Sequence, residues 1–127
     1  MIILTKDEII ILHEKLLQAT GGLTGIRDTG LLESAVMNCM QTFDEAELYP
    51  TIIEKAARIA FSICKNHPFN DGNKRVAVLA MLVMLKINKV ELLYTQQELI
   101  DLGLGIADSC IDYPQILDWI KSHTVTE

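Results

Sequence analysis

Nine consecutive residues, His67 to Arg75, bring together side chains that are suited to phosphate chemistry. The run reads His-Pro-Phe-Asn-Asp-Gly-Asn-Lys-Arg and offers an imidazole, a carboxylate, amides and two cations. Imidazole changes charge near neutral pH, so His67 can accept a hydroxyl proton. Asp71 is the kind of hard oxygen ligand that Mg²⁺ takes when it also binds phosphates. Arg75 can hold phosphate oxygens in a bidentate manner. These residues predict a site for a nucleoside triphosphate.

The elements on either side predict that the run lies between two helices. Thr51 to Lys65 has apolar residues at helical spacing, and Pro68 disfavours a helical conformation for His67, so the first helix is expected to end near Asn66. Val76 to Leu85 is an unbroken apolar run. It is too short to span a bilayer and is typical of a buried central helix.

The start of that second helix falls at Asp71, Gly72 and Asn73. A helix start has unpaired N–H groups and the positive end of a dipole, and phosphate binds there readily. Gly72 lets the backbone approach a ligand closely. We expect Gly72 and Asn73, including the Asn73 side chain, to hold phosphate oxygens, and Lys74 and Arg75 to offset their charge.

Each residue of the run also has an ordinary structural explanation. His67 could be a helix-end histidine, Asp71 an N-cap, Gly72 a turn residue, and Lys74 and Arg75 a solvated face. Their occurrence together and in this order favours the functional interpretation.

The run resembles the signature of the Fic/Doc family, His-x-Phe-x-Asp/Glu-Gly/Ala-Asn-x-Arg/Lys, at every defined position. Gly21 to Glu33 is similar to the early segment of the Doc (death-on-curing) toxins, and Asp44 to Pro50 resembles their flap, which holds a target peptide by main-chain pairing. The resemblance covers nearly the whole chain.

Lys74 bears on which reaction the resemblance implies. AMP-transferring Fic enzymes have a second glycine at this position, whereas Doc-type toxins carry lysine and transfer the γ-phosphate of ATP. The resemblance therefore implies a Mg²⁺-dependent kinase with ATP as co-substrate, acting on a Ser or Thr hydroxyl of a protein. Gly72 replaces the alanine of the best-known Doc member. It keeps an AMP transferase as the alternative reaction.

The same resemblance implies the biological setting: a toxin–antitoxin pair in which a Phd-like antitoxin restrains this chain and elongation factor Tu is the target, so that translation stops. Many Fic proteins instead carry an inhibitory helix of pattern Ser/Thr-x-x-x-Glu-Gly/Asn. The nearest match, Thr29 to Ser34, fails at its last position, so inhibition is expected from another chain. Apolar residues near Leu12, Leu16 and Leu32 could form part of the groove that binds it, although burial in the core is the alternative expected first for each. A catalytically silent antitoxin-binding module is a further alternative.

Length and composition predict one all-α domain over residues 1–127, a compact bundle of about six helices. The patterns Thr5 to Glu8 and Thr95 to Glu98 predict capping boxes at the starts of two of these helices. The net charge of −6 argues against a nucleic-acid surface, and no signal or membrane segment is apparent, so a cytoplasmic protein is expected. The cysteines show no metal or redox spacing. The remaining expectations are that Cys39, Cys64, Met37, Met40, Met81 and Met84 lie in the core and that His13 and His123 lie at the surface.

Overall fold

The computed structural model describes residues 1–107 and 112–125, and these form six helices and one short hairpin. The helices are α1 (Lys6–Thr20), α2 (Thr29–Asn38), α3 (Ile52–Asn66), α4 (Asn73–Ile87), α5 (Gln96–Ala107) and α6 (Tyr113–His123). The strands β1 (Thr42–Phe43) and β2 (Ala46–Glu47) lie between α2 and α3. The prediction of a helical bundle of about six helices is confirmed, and the hairpin is an addition to it.

Local hydrogen bonds at the helix starts explain why most helices begin where they do. In a capping box, the first side chain accepts from the backbone N–H three residues later, whose side chain accepts in return. Such boxes precede α1 at Thr5 and Glu8, α3 at Thr51 and Glu54, α5 at Thr95 and Glu98, and α6 at Asp112 and Gln115. The boxes at Thr5 and Thr95 are those that the sequence predicts.

The core is built around the central pair α3 and α4. Helices α2 and α6 pack on α3, while α1 and α5 pack on α4. As expected, the Val76–Leu85 run supplies the centre of the core. Its fully buried members are Val76, Ala77, Ala80, Met81, Met84 and Leu85. The core also contains the fully buried Ile59 and Ile63 of α3 and Ile116 and Ile120 of α6. Within the described ranges, no helix has the length and apolar character needed to cross a bilayer.

The sulfur-containing residues follow the prediction in part. Cys39 and Cys64 are buried, and burial raises the pKa of both thiols, as expected of inert core cysteines. Cys110 lies outside the described residues. The prediction is wrong for Met37 and Met40, which are 62% and 40% exposed. Met37 is in α2 but is not on its buried face, which is formed by Leu32, Ala35 and Val36, and Met40 lies beyond the end of α2.

The 42–47 hairpin overlaps the stretch Asp44 to Pro50, which was expected to resemble a flap. Its strands pair antiparallel, with Thr42 opposite Glu47, and Asp44 and Glu45 have φ angles of 52° and 66°. Two consecutive positive φ values are typical of a tight two-residue hairpin turn. Lys55 of α3 anchors the hairpin, because its buried Nζ donates to Glu47 Oε1 at 3.0 Å and to the Cys39 carbonyl at 3.2 Å.

Candidate active site

The 67–75 run, here called the motif, forms a closed loop between α3 and α4. His67 follows the end of α3 in a left-handed conformation with φ 50°, and Gly72 precedes α4 with φ 77°. Phe69 is 1% exposed and points into the core. The Asn73 side chain accepts from Phe69 N at 2.9 Å and donates to Phe69 O at 3.0 Å. The predicted helix boundaries are confirmed, and the side-chain amide of Asn73 holds the loop closed.

A second segment, residues 22–28, runs antiparallel beside the motif. Main-chain bonds join Asn70 N to Gly25 O at 3.1 Å and Arg27 N to Pro68 O at 2.7 Å, and Ile26 forms a bridge with Phe69. At Gly22, which has φ 127°, an added Cβ would lie 2.7 Å from Asp71 Oδ2. The close approach of these two segments therefore requires glycine at this position.

His67 is held through its backbone while its side chain stays exposed. Arg27 Nε donates to His67 O at 2.7 Å, and Arg27 Nη2 donates to Asn66 O at 2.9 Å. A guanidinium at the C-terminal end of α3 satisfies carbonyls that lack helical partners and complements the helix dipole. The arrangement leaves the imidazole accessible to an incoming hydroxyl group.

Asp71 is an ionised carboxylate with an exposed face. One oxygen accepts from Leu23 N at 3.0 Å and the other from Gly72 N at 2.8 Å, with Arg75 Nη2 at 3.7 Å. These hydrogen bonds, that from Leu23 foremost, lower the pKa of Asp71. The side chain remains 46% exposed. It can therefore take a ligand as an anion at neutral pH.

Asp71 can bind Mg²⁺ as a single carboxylate ligand rather than as part of a set of protein ligands that encloses the ion. In the described part of the chain, no three His, Cys, Asp or Glu side chains are grouped so that they could enclose a metal ion. Mg²⁺ commonly takes one or two carboxylates, keeps several waters and completes its shell with substrate phosphates. A single ionised, exposed carboxylate fits an ion that arrives with a nucleotide.

The start of α4 supplies unpaired amides next to Asp71. The backbone N–H groups of Asn73, Lys74 and Arg75 lie in the first turn, where N–H groups have no partner within the helix. Unlike α1, α4 has no side-chain cap among the described residues. Because the Asn73 side chain is hydrogen-bonded to the Phe69 backbone, the backbone N–H of Asn73 is the group of this residue that can bind an anion. The Gly72 N–H already donates to Asp71 Oδ1, so it is not free for a phosphate in this structure. The predicted phosphate contact of the Asn73 backbone stays a prediction.

The two cations of the motif turn towards neighbouring helices. Arg75 Nη1 donates to Thr20 Oγ1 at 2.6 Å and to Gly21 O at 3.2 Å, both at the end of α1. The Lys74 stem lies against α5, with its Cγ 3.7 Å from where a Cβ on Gly103 would be. Both side chains also line a groove of about 440 Å³ between α1, α4 and α5. This cavity is called the groove below.

Some contacts at the site were not expected from the sequence. His13 was predicted at the surface, which is wrong: it is 2% exposed, and its Nε2 lies 2.7 Å from the Asp71 carbonyl oxygen. His123, also predicted at the surface, is half-buried and pairs with Glu98. Both are drawn inward by a polar partner from a distant part of the chain. No ligand-like spacing in the sequence marks either one.

Comparison with known proteins shows where this arrangement belongs. Residues 3–85, which contain both the motif and its antiparallel neighbour, match the sequence profile of the Fic/DOC family. The chain is a member of the Fic/Doc family. It is 30% identical over 118 residues to "Protein kinase doc" of Escherichia phage P1, covering 93% of this chain and 92% of that protein. It is 42% identical over 74 residues to "Toxin Doc" of Mycolicibacterium smegmatis, covering 58% of this chain and 57% of that protein.

The Fic/Doc membership confirms the resemblance on which the sequence analysis drew. In Fic proteins with an internal inhibitory helix, a glutamate pairs with the motif arginine, and Glu33 is the glutamate of the imperfect match to that pattern in this chain. Glu33 Oε1 pairs with Lys6 Nζ at 3.1 Å, whereas Arg75 contacts Thr20, Gly21 and Asp71. In this structure Glu33 does not pair with the motif arginine as an internal inhibitory glutamate would.

Proposed function

We propose that this Fic/Doc protein is a Doc-like toxin that transfers the γ-phosphate of ATP to a Ser or Thr hydroxyl of a protein. The observation that carries the proposal is that the uncapped start of α4, the ionised Asp71 and the guanidinium of Arg75 meet in one loop. Such a loop can bind a phosphate chain by its amides and its charges. The family membership and the names of the two Doc relatives support a toxin with transferase activity.

In the proposed reaction, the chain contributes mainly position and charge, as is usual for phosphoryl transfer. His67 accepts the proton of the target hydroxyl as the oxygen attacks the γ-phosphorus, and ADP leaves. Asp71 holds Mg²⁺, which when bound neutralises charge on the phosphate oxygens. The backbone amide of Asn73 and its neighbours at the start of α4 hold phosphate oxygens, Gly72 lets the phosphates approach the backbone closely, and Lys74 and Arg75 offset the charge on the transferring group.

AMP transfer by the same residues is the second candidate, and Gly72 is the observation that favours it, because it replaces the alanine of the best-known Doc member. Lys74 favours phosphate transfer. It occupies the position where AMP-transferring enzymes carry glycine, and its stem lies against α5 rather than leaving that space open. We therefore rank the kinase first.

The proposed target is elongation factor Tu in the cytoplasm, so that the reaction would arrest translation. The 42–47 hairpin is the proposed flap that holds the target peptide. Phe43 is 74% exposed at the hairpin, beside the exposed Met40 and Leu48. Short strands with an exposed aromatic residue suit the capture of an extended segment by main-chain pairing.

The decisive experiment is transfer from ATP that is radiolabelled at either the γ or the α position, with purified elongation factor Tu as acceptor. Label from the γ position alone supports the kinase. Label from the α position, with an added mass of AMP, would replace it by the second candidate. If neither label is transferred to elongation factor Tu, a cell lysate is tested for another acceptor. A folded protein that binds ATP and modifies nothing would support the silent binding module instead.

An antitoxin is the proposed regulator, and the groove is its proposed binding site. Leu16 lines the groove, whereas Leu12 is half-buried and Leu32 is in the core. Apolar residues of α4 and α5 form most of its walls, with Ile100 and Leu104 46% and 47% exposed. Lys74 and Arg75 also line the groove. An amphipathic segment with an acidic residue would fit the groove and cover both motif cations.

Co-expression with the neighbouring reading frame tests this regulator. The protein alone should arrest growth, and the pair should not. Leu104→Asp should weaken the complex while leaving the toxicity of the lone protein intact, since Leu104 is on α5 and is not one of the motif residues. A lone protein that is folded, binds ATP and is harmless, or that becomes toxic on Glu33→Gly, would show that the inhibitor is internal.

A further inference from the structure

His13 is a buried histidine of α1 that contacts the motif from outside it. Its side chain is 2% exposed, and its ring stacks on Phe69 with centroids 3.8 Å apart and planes 11° from parallel. Its Nε2 lies 2.7 Å from the carbonyl oxygen of Asp71. A carbonyl oxygen can only accept a hydrogen bond, so Nε2 carries the proton and donates it.

The bond is made at the peptide that joins Asp71 to Gly72, immediately before α4. This peptide sets the direction of the Asp71 carboxylate on one side and of the first α4 amides on the other. Gly72 has φ 77°, and a Cβ on it would lie 3.6 Å from His13 Nε2 and 3.2 Å from Leu17 Cδ2. Helix α1 therefore closes tightly on the turn, while Leu23 N holds the carboxylate of the same aspartate.

We propose that His13 is a positioning residue of the active site. By holding the Asp71 carbonyl, it fixes the orientation of the Asp71–Gly72 peptide, and with it the carboxylate and the amides that receive the phosphates. A histidine that only filled the core would need neither a donor at Nε2 nor this orientation. The inference rests on the proposed function in one respect, which is that the motif binds the phosphates of ATP.

Three variants at this position separate the hydrogen bond from the packing. His13→Phe keeps an aromatic ring against Phe69 but removes the donor. His13→Gln supplies an amide donor of similar reach, and His13→Leu supplies neither ring nor donor. Ile9→Val is the matched control, because Ile9 lies one turn earlier on the same buried face of α1 and its side chain has no hydrogen-bonding group.

We expect His13→Phe and His13→Leu to lower kcat by roughly 10- to 100-fold, because small displacements of catalytic groups have effects of this size. The KM for the protein target should stay within about twofold, since the flap is unchanged. His13→Gln should recover most of the loss. Ile9→Val should cost about 0.5–1.5 kcal/mol of stability and leave kcat unchanged. The NMR amide signals of Gly72 and Asn73 should move in His13→Phe and return towards wild type in His13→Gln.

Two results would overturn the role of His13: full kcat per folded molecule in His13→Phe, or a His13→Gln variant no better than His13→Leu. The NMR signals read the position of the peptide without any reaction. If the wild type transfers AMP or an unknown group, growth arrest at matched levels of folded protein replaces kcat. In that case the proposed kinase fails, and the role of His13 is still decided by the pattern of the three variants.

Discussion

Arg75 Nη1 donates a hydrogen bond to Thr20 Oγ1 across 2.6 Å and so joins the first turn of α4 to the last turn of α1. The Thr20 hydroxyl donates in turn to Leu16 O at 2.8 Å. Because its single proton is used in that bond, the hydroxyl oxygen faces Arg75 as an acceptor. The guanidinium of the motif is thus held in place by α1 before any nucleotide binds.

The first prediction follows from this bond. Thr20→Val removes the acceptor and keeps the shape, so Arg75 should lose part of its orientation and kcat should fall about three- to tenfold. Stability should change by less than about 1 kcal/mol, because the bond is partly exposed. Steady-state kinetics and thermal unfolding measure the two effects. Thr20→Ser is the control and should behave like the wild type. An equal loss in both variants would contradict the role of the hydroxyl.

The second prediction concerns His67, the proposed base. His67→Ala should lower the rate of transfer by roughly 10²–10⁴-fold while ATP binding measured by calorimetry is retained, since the phosphate contacts lie at Asp71 to Arg75. Toxicity in cells without the antitoxin should vanish. Growth arrest by His67→Ala at the expression level of the wild type would rule out the base assignment.

The third prediction concerns Lys74. Lys74→Gly should depress phosphate transfer and permit some AMP transfer, because it opens the space that lysine takes beside α5. Glycine within a helix also costs about 1 kcal/mol relative to alanine, so Lys74→Ala serves as the control for lost charge without added flexibility. Mass spectrometry of the acceptor distinguishes the products. An unchanged rate and product in both variants would show that Lys74 is an ordinary surface cation.

The fourth prediction is a pH dependence of stability from the pair that joins α5 to α6. The hydrogen bond to Glu98, followed by that to the Trp119 carbonyl, raises the pKa of His123 above its ordinary value. The bond to His123 lowers the pKa of Glu98 to about 2. The stabilisation from His123 is therefore complete below its unfolded pKa and is lost as pH rises through its raised pKa. That from Glu98 is complete above its unfolded pKa and is lost towards pH 2.

Thermal unfolding of the wild type and of His123→Gln measures this window. The difference between their melting temperatures should be largest at about pH 5.5, where both partners are charged, and should shrink by about pH 9. Kinetic constants at one pH should be alike, since the pair lies outside the motif. A difference that grows with pH would contradict the assigned direction of the His123 shift.

The sequence predicted the features that depend on residues close together in the chain and missed the contacts between residues that are far apart in it. The capping boxes at Thr5 and Thr95 join residues only three positions apart, and the buried Val76–Leu85 run is recognisable from its apolar composition. These elements were therefore predicted. The contacts of Asp71 with His13 and with Leu23 join residues 58 and 48 positions apart. Such contacts depend on how α1 packs against α4. No local pattern encodes that packing.

The last prediction concerns the anchor of the hairpin. Lys55 Nζ is buried and bonded to Glu47 Oε1 and Cys39 O, while Glu47 itself is 53% exposed. Glu47→Ala leaves the buried ammonium with one acceptor fewer and should cost about 1–2 kcal/mol, less than a fully buried pair would. Lys55→Met removes the charge and keeps most of the bulk, so the double variant should be more stable than the sum of the single changes predicts.

The same three variants show whether the anchor matters for the proposed flap. Hydrogen exchange of the Leu48 amide, which donates to Gln41 O at 3.0 Å, reports opening of the hairpin. It should accelerate in Lys55→Met even where global stability is retained, because the hairpin has then lost its tie to α3. The KM for the protein target should rise while ATP binding stays constant. Strictly additive stabilities would show that Lys55 and Glu47 are not coupled. An unchanged KM with a rapidly exchanging hairpin would show that Lys55 stabilises the fold without positioning a target.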